Sequence, residues 1–209
     1  MLRTAAASAL FLLLGWASAS WLTEDYAVWT AEGARRLTVA LHPVQTPAAV
    51  LADPHATRAN LPERLTRPGR VTIIDFIYTR CATLCLALGS EFQQLQQAIA
   101  ESPADDIQLL SISFDPAHDG VAQLRDYASR YRADPRDWSV VAVPDRLELK
   151  RLLAAFQVTV IPDGLGGYEH NAALLVVNAD GRLVRIFDDT ERQAALDYAR
   201  FIARQRVAG

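Results

Sequence analysis

The sequence predicts one α/β domain in three layers, with helices on both faces of a mixed central sheet. Apolar runs of strand length alternate with segments of helical periodicity, and the last two predicted strands are joined by a short turn. A chain of 209 residues, 51% of them hydrophobic, is long enough to bury one core of ordinary size. We therefore expect a single domain, preceded by an irregular N-terminal extension.

The charge balance excludes one class of function. The chain carries 21 Lys and Arg residues against 24 Asp and Glu residues, which gives a net charge of −3. No broad positive surface is then expected that could neutralise a run of phosphates. We predict that nucleic acid is not a partner.

Residues 1–19 have the order of a secretory signal. Arg3 precedes an apolar stretch from Thr4 to Trp16, and small residues follow at 17–19. The longer stretch from Thr4 to Leu22 has roughly the ~20 residues that a membrane-spanning helix needs, so cleavage and anchoring remain equal alternatives. Both predict an exported protein on the periplasmic side, whose membrane contact is limited to this segment.

Residues 20–70 predict an extension with short strands. Their pattern is weak and interrupted by scattered prolines, and only Leu37–Leu41 reads as a strand. The pattern sharpens at residue 71, so we assign residues 71–209 to the main domain.

The main domain begins with a predicted central strand. Val71–Tyr78 is a nearly continuous apolar and β-branched run, typical of a strand that is covered on both faces. Apolar residues at helical spacing follow, and Ile107–Phe114 is a second buried strand. The helical positions are Leu88, Phe92, Leu95 and Ile99. This unit is βαβ.

The remaining elements continue the alternation and then end in a hairpin. We predict helices at Val121–Tyr131 and Asp145–Phe156, the second capped by Asp145 with Glu148, and a closing helix that begins at Thr190 in a capping box with Gln193. We predict strands at Trp138–Val143, Ala172–Asn178 and Leu183–Phe187, the last two joined by the turn at 179–182. The resulting order, βαβαβαββα, resembles a thioredoxin-like fold.

Cys81 and Cys85 are the only two cysteines, and they directly follow the first central strand. Ligands of open α/β sheets bind at such strand ends. In a helix, this spacing puts both sulfurs on one face with Cα atoms ~6.2 Å apart, and the helix N-terminus favours thiolate. The pair is therefore either a redox-active disulfide or a two-thiolate metal clamp. A purely structural disulfide is disfavoured, because closing so short a loop stabilises by only ~2 kcal/mol.

Three segments together carry a resemblance to a known family. They are Phe76–Cys85, Leu110–Pro116 and Tyr168–His170, the last preceding a strand that ends at Asp180-Gly181. The combination resembles the Sco/SenC family of copper proteins that serve cytochrome c oxidase assembly. The family commonly has prolines after its cysteines, where this chain has Ala82 and Leu86.

The resemblance implies that Cys81, Cys85 and His170 bind copper, and that Asp115 lies near the site and tunes it. Two thiolates and one imidazole suit Cu(I), and Cu(II) is a second state if an oxygen donor assists. Structural zinc normally requires four ligands, and no further cysteine is present to supply one.

We predict no role in metal binding for the other three histidines. His42 and His55 neighbour prolines, and His118 lies in a polar loop. We expect solvated or capping roles for all three, because histidine is mostly a surface or intermediate residue. His118 is the closest in sequence to the predicted site, three residues after Asp115.

Three functions remain open from the sequence. The first is a monomeric metallochaperone that passes copper to an oxidase subunit or exchanges it with another periplasmic copper chaperone. The second is an exported thiol–disulfide oxidoreductase that keeps a partner's copper-site cysteines reduced. The third is a peroxidase or redox sensor. Three residues between the cysteines, and Asn171 in place of a proline before the hairpin strand, favour copper over general thioredoxin chemistry.

Overall fold

The structure is a computed structural model of the chain. It describes residues 2–23, 28–54, 58–81, 84–102 and 106–205, and it does not describe the side chains of residues 2, 3, 5 and 84–87. Cys85 and Leu86 therefore have a described backbone only, and Ala82 and His55 lie outside the described residues.

The N-terminal third contains three helices and three short strands. In chain order they are α1 (Leu2–Leu22), α2 (Ala31–Leu41), β1 (Val44–Gln45), β2 (Val50–Ala52), β3 (Arg58–Asn60) and α3 (Leu61–Leu65). The side chains of residues 6–18 in α1 are exposed. Among the described residues, no helix combines the length and the apolar character needed to cross a membrane.

The rest of the chain follows the predicted alternation. Its strands are β4 (Val71–Ile77), β5 (Ile107–Ser113), β6 (Trp138–Ala142), β7 (Val160–Pro162), β8 (Tyr168–His170), β9 (Ala173–Val177) and β10 (Arg182–Asp188). Its helices are α4 (Leu84–Ala100), α5 (Val121–Arg130), α6 (Arg146–Ala155) and α7 (Arg192–Gln205). All seven residues of β4 are buried, as the continuous apolar run predicts.

Eight strands form one mixed sheet in the order β1-β10-β9-β4-β5-β6-β2-β3. The central strands β4, β5 and β6 are parallel, whereas β9 pairs antiparallel with both β4 and β10. The predicted mixed sheet and the closing hairpin are thereby confirmed. Strands β7 and β8 pair only with each other and form a second small sheet.

Helices cover the sheet on both faces. One face packs with α2, α3 and α6, and the opposite face packs with α4, α5 and α7. Side chains of β4 alternate between these two cores: Ile74 and Phe76 face the first, and Ile73 and Ile77 face the second. The two cores hold β4 and β5 rigidly, and the predicted site lies at the carboxyl ends of these strands.

The strand predicted at Leu37–Leu41 is wrong, because these residues form the last part of α2. The helix begins after Thr30, whose hydroxyl oxygen accepts a hydrogen bond from the Gly33 amide at 2.9 Å. Val39 is buried against the sheet, and Arg35 inserts beside α6, where it donates to the Phe156 carbonyl at 3.2 Å. The short apolar run is thus one face of an amphipathic helix rather than a strand.

At the N-termini of two helices, the structure differs in part from the prediction. Asp145 caps α6 as predicted, but the carboxylate of Glu148 accepts from the Val50 amide at 2.8 Å and so ties the helix to β2. The capping box at Thr190 is wrong: α7 begins at Arg192, and Gln193 donates to Asp197. The β7–β8 hairpin was not predicted at all.

Candidate metal centre

Cys81 lies just beyond the carboxyl end of β4, where the sequence predicts a ligand site. Its side chain is buried, and its amide donates to the Tyr78 carbonyl at 3.3 Å, which makes a tight turn between strand and cysteine. The backbone of Cys85 belongs to the first turn of α4, and its side chain lies outside the described part. The predicted helix start between the two cysteines is therefore only partly described.

His170 ends strand β8, and its imidazole packs edge-on against the ring of Phe114 with centroids 5.1 Å apart. Both ring nitrogens are buried, and neither has a hydrogen-bond partner among the described residues. Burial lowers the pKa of His170 to about 4, so the imidazole is neutral at neutral pH. A neutral histidine with two buried unpaired nitrogens is well suited to a metal, because burying such atoms without any partner costs free energy.

Three aromatic rings connect the cysteine loop to the histidine strand. Tyr78, Phe114 and Tyr168 pack mutually with centroids 5.3 to 5.6 Å apart. The Tyr78 hydroxyl also donates to the Tyr168 carbonyl and accepts from the Tyr168 amide, both at 3.3 Å. Tyr78 therefore links the residues before Cys81 to the residues before His170.

Asp115 is buried in the loop that follows β5 and contacts the residue that precedes Cys81. Its carboxylate accepts from the Arg80 guanidinium at 2.9 Å, and Nδ1 of His118 lies 2.9 Å from both carboxylate oxygens. Nη2 of Arg80 also lies 3.1 Å from Nδ1 of His118, so the three side chains form one polar cluster. Asp115 thus contacts the residue adjacent to Cys81, and His118 orients Asp115 rather than being merely solvated.

Asp119 is a second buried carboxylate in the same loop. It accepts from the Thr79 amide at 3.0 Å, from the Thr79 hydroxyl at 2.6 Å and from the Ser113 hydroxyl at 2.6 Å. The Ser113 hydroxyl in turn accepts from the Asp115 amide at 3.1 Å. The loops that follow β4 and β5 are therefore joined through one continuous hydrogen-bond network.

The structure brings Cys81, His170 and Asp115 to one end of the sheet around shared neighbours. Among the described side chains, no three histidine, cysteine or acidic groups form a cluster that could hold a metal, and Cys85 is outside that set. The donor types nevertheless fit copper: a soft thiolate and a buried, unpaired imidazole are ligands that Cu(I) prefers.

Three residues of the site were missed in the sequence: Tyr78, Arg80 and Asp119. Tyr78 was predicted only as the last residue of the first central strand, and Arg80 and Asp119 were given no role. Their positions carried a usable signal, since Tyr78 and Arg80 flank the turn before Cys81 and Asp119 follows the adjacent parallel strand. Loops at the carboxyl ends of neighbouring parallel strands meet at one edge of a sheet.

Comparison with known proteins identifies the family. Residues 62–202 match the family model SCO1/SenC. A SCO1 protein homolog of Bacillus subtilis is 26% identical over 125 residues, which cover 59% of this chain and 64% of that protein. A protein of Stutzerimonas stutzeri, named for copper binding, is 31% identical over 123 residues, covering 56% of this chain and 58% of that protein. The chain thus spans about three fifths of the length of these relatives.

Solved structures share the fold at lower identity. ScoI of Arabidopsis thaliana with copper bound is 19% identical, with a TM-score of 0.66 over 77% of this chain and 98% of that one. BsSco, described as a Sco-family cytochrome c oxidase assembly protein with a disulfide switch, has a TM-score of 0.67 at 20% identity over 78% and 95%. A SCO1/SenC family lipoprotein of Bacillus anthracis has a TM-score of 0.69 at 19% identity over 78% and 98%. The family match over residues 62–202, together with this fold, shows that the chain is a thioredoxin-like protein that belongs to the SCO1/SenC family.

Proposed function

We propose that this protein binds copper as a cargo through Cys81, Cys85 and His170 and delivers it during assembly of a cytochrome c oxidase. The observation that carries the proposal is the pair of buried, unpaired ring nitrogens of His170 beside the aromatic residues that lead to Cys81. Family membership supplies the class of cargo, since relatives are named for copper binding or contain copper.

Uptake of Cu(I) requires the two cysteines as thiolates and the histidine as neutral imidazole. The low pKa of His170 leaves one ring nitrogen unprotonated at neutral pH, so no imidazolium proton has to be displaced when a metal binds there. Binding therefore releases protons only from the thiols, and transfer to an acceptor returns protons to them. We propose that the aromatic ring of Phe114 limits the rotation of the imidazole before the metal arrives.

We propose an oxidase subunit or another copper chaperone outside the cytoplasm as the exchange partner. BsSco is described as a member of a family of oxidase assembly proteins, and the Bacillus anthracis structure is described as a lipoprotein. These descriptions agree with export directed by residues 1–19. Activity of a fusion to a reporter that folds only after export would test the location, and an inactive reporter on a fully expressed fusion would contradict it.

An anaerobic Cu(I) titration of the reduced protein against a competing chelator tests the function. We expect one tightly bound equivalent in the wild type. Cys81→Ser, Cys85→Ser and His170→Ala should each weaken binding by at least about tenfold, because each removes a ligand. Circular dichroism should show that the variants remain folded.

His42→Ala is the matched control, because His42 is an exposed histidine at the end of α2. Its copper affinity should equal that of the wild type. Equal affinity in the wild type and in His170→Ala would contradict the proposed ligand set, whereas weak affinity in all proteins would contradict copper transport itself.

A second function, thiol–disulfide exchange, is favoured by the position of Cys81 at the strand end and by the disulfide switch described for BsSco. In this reaction the Cys81 and Cys85 thiols give up two electrons and two protons and become a disulfide, while a partner's disulfide is reduced to two thiols. His170→Ala separates the functions: loss of copper binding with retained reduction of a model disulfide shows that exchange does not depend on the metal site.

A further inference from the structure

Every residue between β4 and Cys81 is held by a side-chain contact. Tyr78 bonds to Tyr168, Thr79 to Asp119 and Arg80 to Asp115. The carboxylates of Asp115 and Asp119 are both buried, at 3% and 2% exposure, but the Arg80 side chain is 42% exposed whereas Thr79 is half-buried. The contact between Thr79 and Asp119 is therefore better shielded from water than the contact between Arg80 and Asp115.

The Asp119 carboxylate holds Thr79 through both of its oxygens. Oδ1 accepts from the Thr79 hydroxyl, and Oδ2 accepts from both the Thr79 amide and the Ser113 hydroxyl. Hydrogen bonds to a charged acceptor are stronger than those between neutral groups, and burial strengthens them further. An asparagine in this position would point an amide N–H₂ toward one set of these donors, so it could not reproduce the arrangement.

The anchor joins the cysteine loop to the sheet itself. Ser113 is the last residue of β5 and pairs in register with Ile77, the last residue of β4. Asp119 thus fixes Thr79 against the rigid end of two parallel strands, two residues before Cys81. Displacement of Thr79 would shift the backbone that sets the direction of the Cys81 side chain.

We infer that Asp119 is a positioning residue for Cys81, acting through Thr79, and that it determines how well the cysteine is preorganised for copper and for disulfide formation. The inference rests on the proposed function for its copper part, while its disulfide part concerns the metal-free protein. A role confined to folding would instead stabilise the loop after β5 without changing the chemistry of Cys81.

The test compares Asp119→Asn with Asp134→Asn in the full chain. Asp134 is the matched control, because its carboxylate also orders a loop, by accepting from Arg136, but that loop lies between α5 and β6. We expect Asp119→Asn to weaken Cu(I) binding by at least about tenfold, as loss of an outer hydrogen-bond partner does at metal sites. Asp134→Asn should bind copper like the wild type.

The reduction potential of the Cys81–Cys85 pair, measured on metal-free protein, is the second readout. A tenfold loss in the effective concentration of one thiol toward the other makes the disulfide easier to reduce and raises the potential by about 30 mV. Thr79→Val removes the hydroxyl donor while keeping the branched shape, and we expect a smaller shift in the same direction. This variant also tests the inference if Asp119→Asn does not fold.

The results distinguish a role of Asp119 in positioning Cys81 from a role in folding alone. Unchanged affinity and unchanged potential in folded Asp119→Asn or Thr79→Val, even with lower thermal stability, would overturn the inference and leave Asp119 a folding residue. If the wild type fails to bind copper but the potential rises in both variants, the proposed function fails while the positioning of Cys81 stands.

Discussion

At the scale of single residues, Asp75 is the carboxylic acid least explained by the proposed chemistry. It is fully buried in the middle of β4, opposite Ser111 of β5, and neither of its oxygens has a hydrogen-bond partner among the described residues. Burial raises the pKa of Asp75 to about 8, and the Ser111 hydroxyl, outside good hydrogen-bond geometry, offsets this only in part. Asp75 is therefore protonated at neutral pH.

A raised pKa in the folded state has a definite effect on stability. Between the ordinary pKa of 3.8 and about 8, the folded chain holds a proton on Asp75 that the unfolded chain has released. This group therefore makes the free energy of unfolding fall as the pH rises through that window, by at most about 1.4 kcal/mol per pH unit. Asp75→Asn should gain stability relative to the wild type between pH 5 and pH 8, as measured by urea unfolding at both values.

Asp134→Asn provides the control for this measurement. Hydrogen bonds from Arg136 lower the pKa of Asp134 to about 2, so this carboxylate is ionised in both folded and unfolded chains above pH 5. The free energy of unfolding of Asp134→Asn relative to the wild type should therefore be the same at pH 5 and at pH 8. If the free energy of unfolding of Asp75→Asn relative to the wild type is also the same at both pH values, Asp75 is ionised in the folded protein.

At the scale of elements, the close approach of α4 to the end of α5 depends on a glycine. A Cβ atom built on Gly89 of α4 would lie 2.4 to 2.6 Å from ring atoms of Tyr131. The aromatic ring of Tyr131 is itself packed against Tyr127 and Trp138, so it has little freedom to retreat. Contact at this point sets the spacing between the two helices on this face of the sheet.

Gly89→Ala should destabilise the protein by about 1–3 kcal/mol, because overpacking outweighs the better helix propensity of alanine. In a Tyr131→Ala background the same change should be neutral or stabilising, since the ring is absent. Chemical denaturation of the four proteins of this double-mutant cycle measures the coupling. If Gly89→Ala lowers the free energy of unfolding equally in both backgrounds, the Tyr131 ring does not limit the distance between α4 and α5.

Prediction of elements from the sequence succeeded where burial covers whole strands and failed where local patterns were short. The runs at Val71–Tyr78 and Ile107–Phe114 identified β4 and β5, because strands covered on both faces are apolar throughout. Leu37–Leu41 was too short to show helical periodicity, and α2 depends on its contacts with β10 and α6. Capping at Thr190 failed because Asp188 captures the threonine hydroxyl at 3.0 Å.

At the scale of the whole molecule, helix α1 is mostly exposed along its described side chains. Residues 6–18 are exposed, whereas the two cores draw their residues from α2 onward. A chain that starts at Thr23 should therefore melt within about 1 °C of the full chain, because an exposed terminal segment contributes little to stability. Differential scanning calorimetry measures this, and a large decrease would indicate packing between α1 and the domain.

The order of the main strands and helices could be predicted, and candidate ligands could be proposed, but the contacts that support those residues could not be predicted. The order of strands and helices restricts the topology, and Cys81 was placed at a strand end by sequence alone. The contacts of Tyr78, Arg80 and Asp119 join residues far apart in the chain, so their strand-end positions indicate nearness to the site but not which partners they contact. The β7–β8 hairpin was missed for a different reason, since Val160–Pro162 is short and partly exposed.

The two hydrogen bonds between Tyr78 and Tyr168 also have a consequence for the rate of folding. The two residues are 90 positions apart in sequence, so they meet only when the intervening strands and helices have assembled. Closing a loop of that length costs on the order of 4 kcal/mol in chain entropy, and this favours late formation. In an unfolded chain, only the two neighbouring cysteines of the proposed ligand set would be close enough to hold one metal ion. Under the proposed function, the complete ligand set forms only in the finished fold, and tight retention of copper is expected only when folding ends.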